Sequence, residues 1–244
     1  IPALYAANES SPAAQPSATG ANAVAIGDSA VSSGTNSVAI GKSASSNDGI
    51  AIGLNASTTS LKGTAIGANM GGVGALSSGF GSMAFGASRS NGTESFAAVI
   101  SNNTSTYGAS GANSVAIGKQ AKATNEGSLA FGHTTTSTGQ FALALGYQST
   151  AGGTQSVAIG RSNQTGGNFA LALGYASNAS ASNSVAIGDT NTASHANAIT
   201  IGDSVQSTAI NQVSIGGTAD TVRISESYTL PTADGTANQV LTTD

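Results

Sequence analysis

The chain has 244 residues, a formal charge of −4 and no cysteine, which excludes disulfides and thiolate metal sites. Its seven Lys and Arg residues are scattered singly, so it lacks the basic patch that binds phosphate backbones and we expect no nucleic-acid partner. Only 7% of residues are charged and 5% are aromatic, with no Trp, and this composition argues against an ordinary globular core.

Residues 1–19 contain no repeat and predict a flexible N-terminal lead-in. The first six, Ile-Pro-Ala-Leu-Tyr-Ala, end in a small residue, and the alternative interpretation is a signal-peptide remnant. No stretch approaches the roughly 20 apolar residues of a membrane helix, so we expect no membrane contact within this segment.

A short motif then recurs over residues 20–217. Ser-Val-Ala-Ile-Gly occurs at 37–41, 114–118, 156–160 and 184–188, and close relatives bring the number of copies to thirteen. From Gly118 onward the motif glycines follow one another in seven steps of 14 residues. A fixed period of this kind predicts a solenoid in which each repeat is one coil. The repeat is marked by Gly41, Gly118, Gly132, Gly146, Gly160, Gly174, Gly188 and Gly202, and by Ile40, Ile117, Ile159 and Ile187.

Each motif places two apolar residues around an Ala, an alternation that predicts a β-strand. Small residues three and five positions after the glycine, such as Ala30 and Ser32, predict a second, short strand. Because 14 residues are too few for a three-sided coil, we expect a flattened roll of two sheets. We expect the Val and Ile columns to fill its interior, and the Ala and Ser faces to approach another surface.

The register loosens between about residues 68 and 113, which predicts an irregular insertion. The segment concentrates large side chains and is interpreted either as a packed insertion or as a binding feature on a rigid scaffold. These side chains are Met70, Phe80, Met83, Phe85, Phe96 and Tyr107.

The repeat closely resembles the head repeats of trimeric autotransporter adhesins of the YadA type. The resemblance covers residues 20–217 and includes the Ser-Val-Ala-Ile-Gly motif, the 14-residue step and an Asn before the Ser at Asn22, Asn36, Asn113, Asn183, Asn197 and Asn211. It implies an all-β fold, a left-handed parallel β-roll solenoid, in a homotrimeric fibre. It also implies an extracellular, outer-membrane-anchored location and adhesion to a host surface protein or glycan.

Residues 218–244 depart from the repeat and predict a linker to a following fibre module. Their last part, from Tyr228 to Asp244, resembles linker segments of phage tail fibres. Two alternatives to an adhesin therefore stay open: a virion tail-fibre shaft that attaches to a host receptor, and a purely structural spacer.

The residue after the motif glycine is variable and polar, and four successive coils place His133, Tyr147, Arg161 and Tyr175 there. At about 4.8 Å per coil, Arg161 would make cation–π contacts with both Tyr rings. We interpret this column either as a ligand-binding stripe for a protein or glycan, or as a solvated edge that stiffens the rod. The Asn column is expected to close turns or to form side-chain ladders.

Eleven acidic residues are spread along the rod, and only neighbouring coils bring two together, as with Asp189 and Asp203. An active site needs an acid, a base or a nucleophile that converge. We therefore expect no enzyme activity, no cofactor and no metal.

Overall fold

A computed structural model of the chain describes residues 15–67, 74–99 and 106–216. The regular secondary structure in these ranges consists of β-strands, numbered β1 to β27 in chain order and joined by turns. They hold no helical segment that is long and apolar enough to cross a membrane.

The strands belong to two sheets. The short sheet consists of two-residue strands: β1 (Ser17–Ala18), β3 (Val31–Ser32), β5 (Ser45–Ser46), β7 (Ser57–Thr58), β9 (Leu76–Ser77), β11 (Arg89–Ser90), β13 (Gly108–Ala109), β15 (Lys122–Ala123), β17 (Thr136–Ser137), β19 (Thr150–Ala151), β21 (Gln164–Thr165), β23 (Asn178–Ala179) and β25 (Thr192–Ala193). The long sheet consists of strands of three to five residues: β2 (Val24–Ile26), β4 (Val38–Ile40), β6 (Gly49–Ile52), β8 (Gly63–Ile66), β10 (Met83–Gly86), β12 (Phe96–Val99), β14 (Val115–Ile117), β16 (Leu129–His133), β18 (Leu143–Tyr147), β20 (Val157–Arg161), β22 (Leu171–Tyr175), β24 (Val185–Asp189), β26 (Ile199–Asp203) and β27 (Val213–Ile215).

From β1 to β26 the chain alternates between the sheets, and neighbouring strands within each sheet come from successive coils and pair in parallel. In β18 and β20, for example, Ala144 pairs with Ala158 and Gly146 with Gly160, one repeat of 14 residues apart. The described residues thus form a parallel β-solenoid of about thirteen turns, which confirms the predicted all-β, two-sheet coil. Left-handed winding and the trimer stay predictions.

The motif glycine occupies a corner that other residues do not fit. Gly146 has φ +119°, a conformation that L side chains rarely adopt, and a Cβ there would overlap the carbonyl oxygen of Gly160 in the next coil. The corner therefore needs glycine both for its backbone conformation and for the close stacking of coils.

The Asn column lies at a second turn of the coil, five positions before the motif glycine. Asn22, Asn36, Asn113, Asn183, Asn197 and Asn211 all have left-handed backbone, with φ between 55° and 59°. Asn tolerates this region better than most residues. The amide of Asn183 also donates to Oδ1 of Asn197 at 3.0 Å, and the amide of Asn197 to Oδ1 of Asn211 at 2.8 Å. The expected side-chain ladder is therefore confirmed between these residues, and the left-handed backbone places the Asn column in the turns.

The predicted interior of Val and Ile is wrong. The Ala between them faces inward and is completely buried in nearly every coil, as at Ala39, Ala116, Ala144, Ala158 and Ala186, whereas the Val and Ile columns lie on the outside of the long sheet. The connections explain this arrangement, since only two residues separate β18 from β19 and five separate β19 from β20. Such short turns hold the two sheets too close for large side chains, and the largest fully buried side chains are Asn and Thr.

The interior is also polar, and its hydroxyl groups are satisfied. Ser184 Oγ donates to the carbonyl oxygen of Ala181 at 2.6 Å, and the equivalent Ser114 donates to Gly111 at 2.7 Å. Among the described residues, no buried side-chain nitrogen or oxygen lacks a hydrogen-bond partner. The roll therefore avoids the penalty for buried unpaired polar groups.

One buried amide joins neighbouring coils below the glycine corner. Asn163 Nδ2 donates to the carbonyl oxygens of Ile159, at 2.6 Å, and Gly174, at 2.7 Å, and its Oδ1 accepts from the Ser177 backbone N–H at 2.8 Å. Asn191 makes the corresponding bonds two coils later. The sequence analysis missed both residues, although each stands in a column that mostly holds Ala, Ser or Thr.

The segment predicted as an irregular insertion continues both sheets in its described residues, with strands β9 to β13. The irregularity lies in the coil length: Ala65 pairs with Ala84, 19 residues on, then Ala84 with Ala97 after 13, and Ala97 with Ala116 after 19. Strand β12 is a coil that motif counting missed, because no glycine follows it. Met70 lies outside the described residues.

The limits of the roll can be compared with the expected domain boundaries. Strand β1 begins at Ser17, within the predicted lead-in 1–19, and pairs with β3. Residues 1–14 and the predicted tail 218–244 lie outside the described residues.

Candidate interaction surfaces

The outer surface of the long sheet carries two parallel apolar rows. In each regular coil the residues on either side of the buried Ala contribute one side chain to each row, such as Leu143 and Leu145 in β18 or Val157 and Ile159 in β20. Exposed fractions in the single chain are about two fifths at several positions, such as 41% at Val24 and 40% at Leu145, and rise to 60% at Val213. We call these two rows the apolar band.

The apolar band runs the whole length of the described roll. Backbone pairing places its members side by side from β2 to β27, and only Thr64 and Ala98 interrupt them with a polar or a small side chain. Monomeric soluble proteins rarely expose a continuous apolar surface of this length. The band is therefore a candidate for contact with other protein chains.

A second candidate surface is the polar column after the glycine corner. Strand pairing aligns His133 with Tyr147, Tyr147 with Arg161, and Arg161 with Tyr175. The His133 and Tyr147 rings stack with centroids 5.1 Å apart and an interplanar angle of 14°. The Arg161 guanidinium carbon lies 5.8 Å from the Tyr147 centroid and 5.2 Å from that of Tyr175. The structure thus brings all four predicted residues together, and we call them the stripe.

The stripe stands at the rim of the long sheet and is open to solvent in the single chain. Arg161, Tyr147 and Tyr175 are all exposed. His133 is half-buried, and its Nδ1 lies 2.8 Å from Thr134 Oγ1. Parallel pairing fixes the spacing of the four side chains, so their order along the rod follows directly from the 14-residue repeat.

Acidic side chains occupy the same column at its two ends. Near the N-terminus, Asp28 is buried and forms an ion pair of 3.4 Å with Lys42 of the next coil. After Tyr175 the column continues with Asp189 and Asp203, which pair in register, and Asp203 accepts a hydrogen bond from Ser204 Oγ at 2.8 Å. Within the described ranges no group of three or more His, Asp or Glu side chains is arranged to hold a metal ion.

Two phenylalanines form a surface feature that the sequence analysis missed. Phe141 and Phe169 stand where Asn recurs in other coils, with φ 55° and 58°, and they are 52% and 57% exposed. Phe is poorly suited to a left-handed turn and to solvent. The signal was present in the sequence, since both residues open identical Phe-Ala-Leu-Ala-Leu-Gly-Tyr segments at 141–147 and 169–175.

Of the large side chains in the loosened segment, the described ones lie partly on the surface. Phe85 and Phe96 are in contact on neighbouring strands, with ring centroids 5.6 Å apart. Met83 and Phe80 are exposed, and the Lys62 ammonium lies 5.4 Å from the Phe80 centroid. They therefore extend the apolar surface rather than form a separate packed core.

Comparison with known proteins gives one family. The model of the YadA head domain repeat matches residues 18–44, 44–69, 109–134, 137–163, 166–191 and 182–204, which together span more than half of the chain. No curated protein sequence matches. Among solved structures, the collagen-binding domain of the Yersinia adhesin YadA is similar at 19% identity, over 92% of this chain and 82% of that one, with a TM-score of 0.20.

Proposed function

Because the chain belongs to the YadA head domain repeat family, we propose that it forms a homotrimeric, extracellular fibre segment that mediates adhesion to a host surface and catalyses no reaction. The observation that carries the proposal is the apolar band. A band that follows the whole rod needs an equally long partner surface, and copies of the same chain aligned in parallel provide one.

The structure changes the reason for expecting an assembly. The sequence analysis assigned the contact to the Ala and Ser faces, but these are buried inside the roll. The contact surface is instead the band of Val, Ile and Leu. Three bands that meet around a common axis would form an apolar core larger than the one inside each roll, and the number three comes from the family.

The proposal assigns stiffness and reach to the roll and binding to its outer surface. Coils stacked at about 4.8 Å give a rod on the order of 60 to 70 Å long, suited to display away from a cell. The stripe, repeated once per chain, is the proposed ligand-binding surface. The roll domain is proposed to begin with β1 at Ser17 and to extend to about residue 217, between a lead-in and a linker.

The first test is the mass of the purified chain in solution by light scattering. The proposal predicts three times the chain mass of 23.4 kDa. Replacing Leu145 and Leu173 by Asp puts charge into the centre of the band and should give single chains. The matched control is Gln164→Asp, at an exposed position on the short sheet, and it should keep the trimer mass. A wild-type chain that is monomeric throughout would overturn the assembly.

Adhesion is tested separately, with beads coated with the trimer on cultured cells and on immobilised matrix proteins. Binding that is lost on replacing Tyr147, Arg161 and Tyr175 by Ala, at unchanged trimer mass, is the expected result. A trimer that binds none of these surfaces would act only as a spacer and would contradict the adhesive function.

A further inference from the structure

The geometry of the stripe restricts what it can bind. Arg161 lies between the rings of Tyr147 and Tyr175, and His133 stacks on Tyr147 from the other side. Both faces of the Tyr147 ring and one face of the Tyr175 ring are therefore in contact with neighbouring side chains of the stripe. The polar groups that this arrangement presents to solvent are the guanidinium N–H donors and the phenol hydroxyls.

Among the residues that the structure describes, no acidic side chain pairs with the guanidinium of Arg161. The ion pair between Lys42 and Asp28 lies far along the rod. The nearest acid in the same column, Asp189, is two strands from Arg161. The two Tyr rings hold the planar fork in place, so binding a carboxylate would cost little further side-chain ordering.

We propose that the stripe binds a saccharide that carries a carboxylate, of the uronic or sialic acid type, with Arg161 pairing the carboxylate and the hydroxyls of Tyr147 and Tyr175 bonding the adjacent sugar hydroxyls. This inference rests on the proposed adhesive function. It names the chemical class of ligand that the stripe recognises.

The size and charge of the stripe favour this class over others. Three strand steps give it a length of about 14 Å, which matches a short saccharide. A stable protein partner needs about 800 Å² on each side, which four side chains do not supply. A sulfated polyanion needs a run of cations, whereas the stripe has one permanent positive charge on a chain of net charge −4.

Repetition around the trimer would compensate for a small site. Three equivalent stripes on one rigid fibre can engage several copies of a terminal sugar at once, and linked sites raise the overall affinity without new contacts. Carboxylate sugars displayed densely on a surface suit this arrangement.

The experiment titrates the 244-residue chain with single sugars and detects their binding by saturation-transfer NMR. The probes are N-acetylneuraminic acid and glucuronic acid, with N-acetylglucosamine and glucose as their uncharged counterparts. Arg161→Gln removes the charge, and Arg161→Lys keeps the charge but removes the planar fork. The control is Lys119→Gln, an exposed cation in the same column with no aromatic partner assigned to it. The mass of every variant is measured on the same samples.

We expect the two acids to bind and the neutral sugars not to bind. Arg161→Gln should weaken binding by about tenfold or more, because a charge-assisted hydrogen bond is lost. Arg161→Lys should weaken it less, and Lys119→Gln should leave it within about twofold. Whichever acid binds better identifies the source of the carboxylate.

Three results would overturn the inference. Equal binding of neutral and acidic sugars would remove the carboxylate from recognition. If no sugar binds but Arg161→Gln abolishes bead adhesion to a protein-coated surface, the ligand is a protein. If Arg161→Gln breaks the trimer, the stripe is a contact between chains. Each differs from failure of the proposed function, which would appear as a monomeric or non-adhesive wild-type chain.

Discussion

The two faces of the long sheet have opposite character, although they are formed by alternate residues of the same strands. The inner face is a column of Ala that ends with Thr200 and Ser214, with hydroxyl side chains around it, and most of it is completely buried. The outer face carries Val, Ile, Leu and Phe, half-exposed in the single chain. Small residues thus hold one chain together, and large residues are left for contact with others.

The comparison also separates two sources of stability. Inside the described part of the roll the buried side chains are mostly small, and the coils are joined mainly by parallel backbone hydrogen bonds and by groups such as Ser184 and Asn163. On the outside, the hydrophobic effect acts only when another surface covers the band. Substitutions on the two faces should therefore have different consequences, from a large loss of fold stability to a small change at the rim.

The largest difference is expected within one strand, β12. Ala97 faces inward with no exposed area and pairs with Ala84 and Ala116, whereas Ala98 faces outward between Phe85 and Ile117. Ala97→Leu should lower the free energy of unfolding by about 3 kcal/mol, because the interior has no room for it. Ala98→Leu makes the same change on the outer face and should be tolerated.

Denaturant unfolding followed by circular dichroism measures both variants. Equal destabilisation by the two would mean that the faces do not differ as the structure indicates. A tolerated Ala97→Leu would mean that the sheets can separate, and the account of the narrow interior would fail.

A smaller effect is expected from the inner hydroxyl groups. Ser184→Ala removes the buried hydrogen bond to Ala181 and leaves that carbonyl oxygen with one acceptor site unused. The expected loss is about 1 kcal/mol in the free energy of unfolding. Ser182→Ala, two residues earlier at an exposed position, is the control and should change stability by less than about 0.5 kcal/mol. A Ser184→Ala variant as stable as wild type would show that the hydroxyl contributes only packing.

These differences explain which parts of the fold were predictable. The period, the strand at each Val-Ala-Ile, the glycine corner and the Asn turns depend on local backbone conformation, and local conformation leaves a direct trace in the residues. Which side of each strand faces the interior leaves no such trace in the residues. Alternation in Ser-Val-Ala-Ile-Gly is compatible with either face inside, and the two short connections of the coil decide for Ala.

The candidate site was predictable for the same reason. Parallel stacking at a fixed period places equivalent residues side by side, so the order of His133, Tyr147, Arg161 and Tyr175 follows from counting. Phe141 and Phe169 were missed because a hydrophobic residue in a left-handed turn contradicts local preference, although both stand five positions before a motif glycine, where Asn recurs in other coils. Strand β12 was missed because it lacks the glycine on which the count relied.

The next prediction concerns the left-handed turn position at which Asn recurs and at which Phe169 stands. Phe169→Asn replaces a bulky residue in a left-handed turn by one that tolerates it, next to Asn183 of the ladder. The single chain should gain about 0.5 to 1 kcal/mol in the free energy of unfolding, since the conformational cost falls. This is measured on the Leu145→Asp, Leu173→Asp background, in which chains are expected to be separate. A loss of stability in that background would show that the Phe169 ring packs usefully within its own chain.

The smallest effect is expected in the stripe, where side chains meet in solvent. A double-mutant cycle with Arg161→Gln and Tyr175→Leu isolates their contact, in which the guanidinium carbon lies 5.2 Å from the ring centroid. An exposed cation–π contact of this kind should give a coupling energy of about 0.5 to 1 kcal/mol. The control cycle pairs Arg161→Gln with Leu143→Ala, which lies on the band in the neighbouring coil, four positions away along the strand, and should show no coupling. A coupling well above that range would mean that the stripe is shielded from water in the assembled fibre. It would then belong to the contact between chains, together with the apolar band, and not to the surface that meets a ligand.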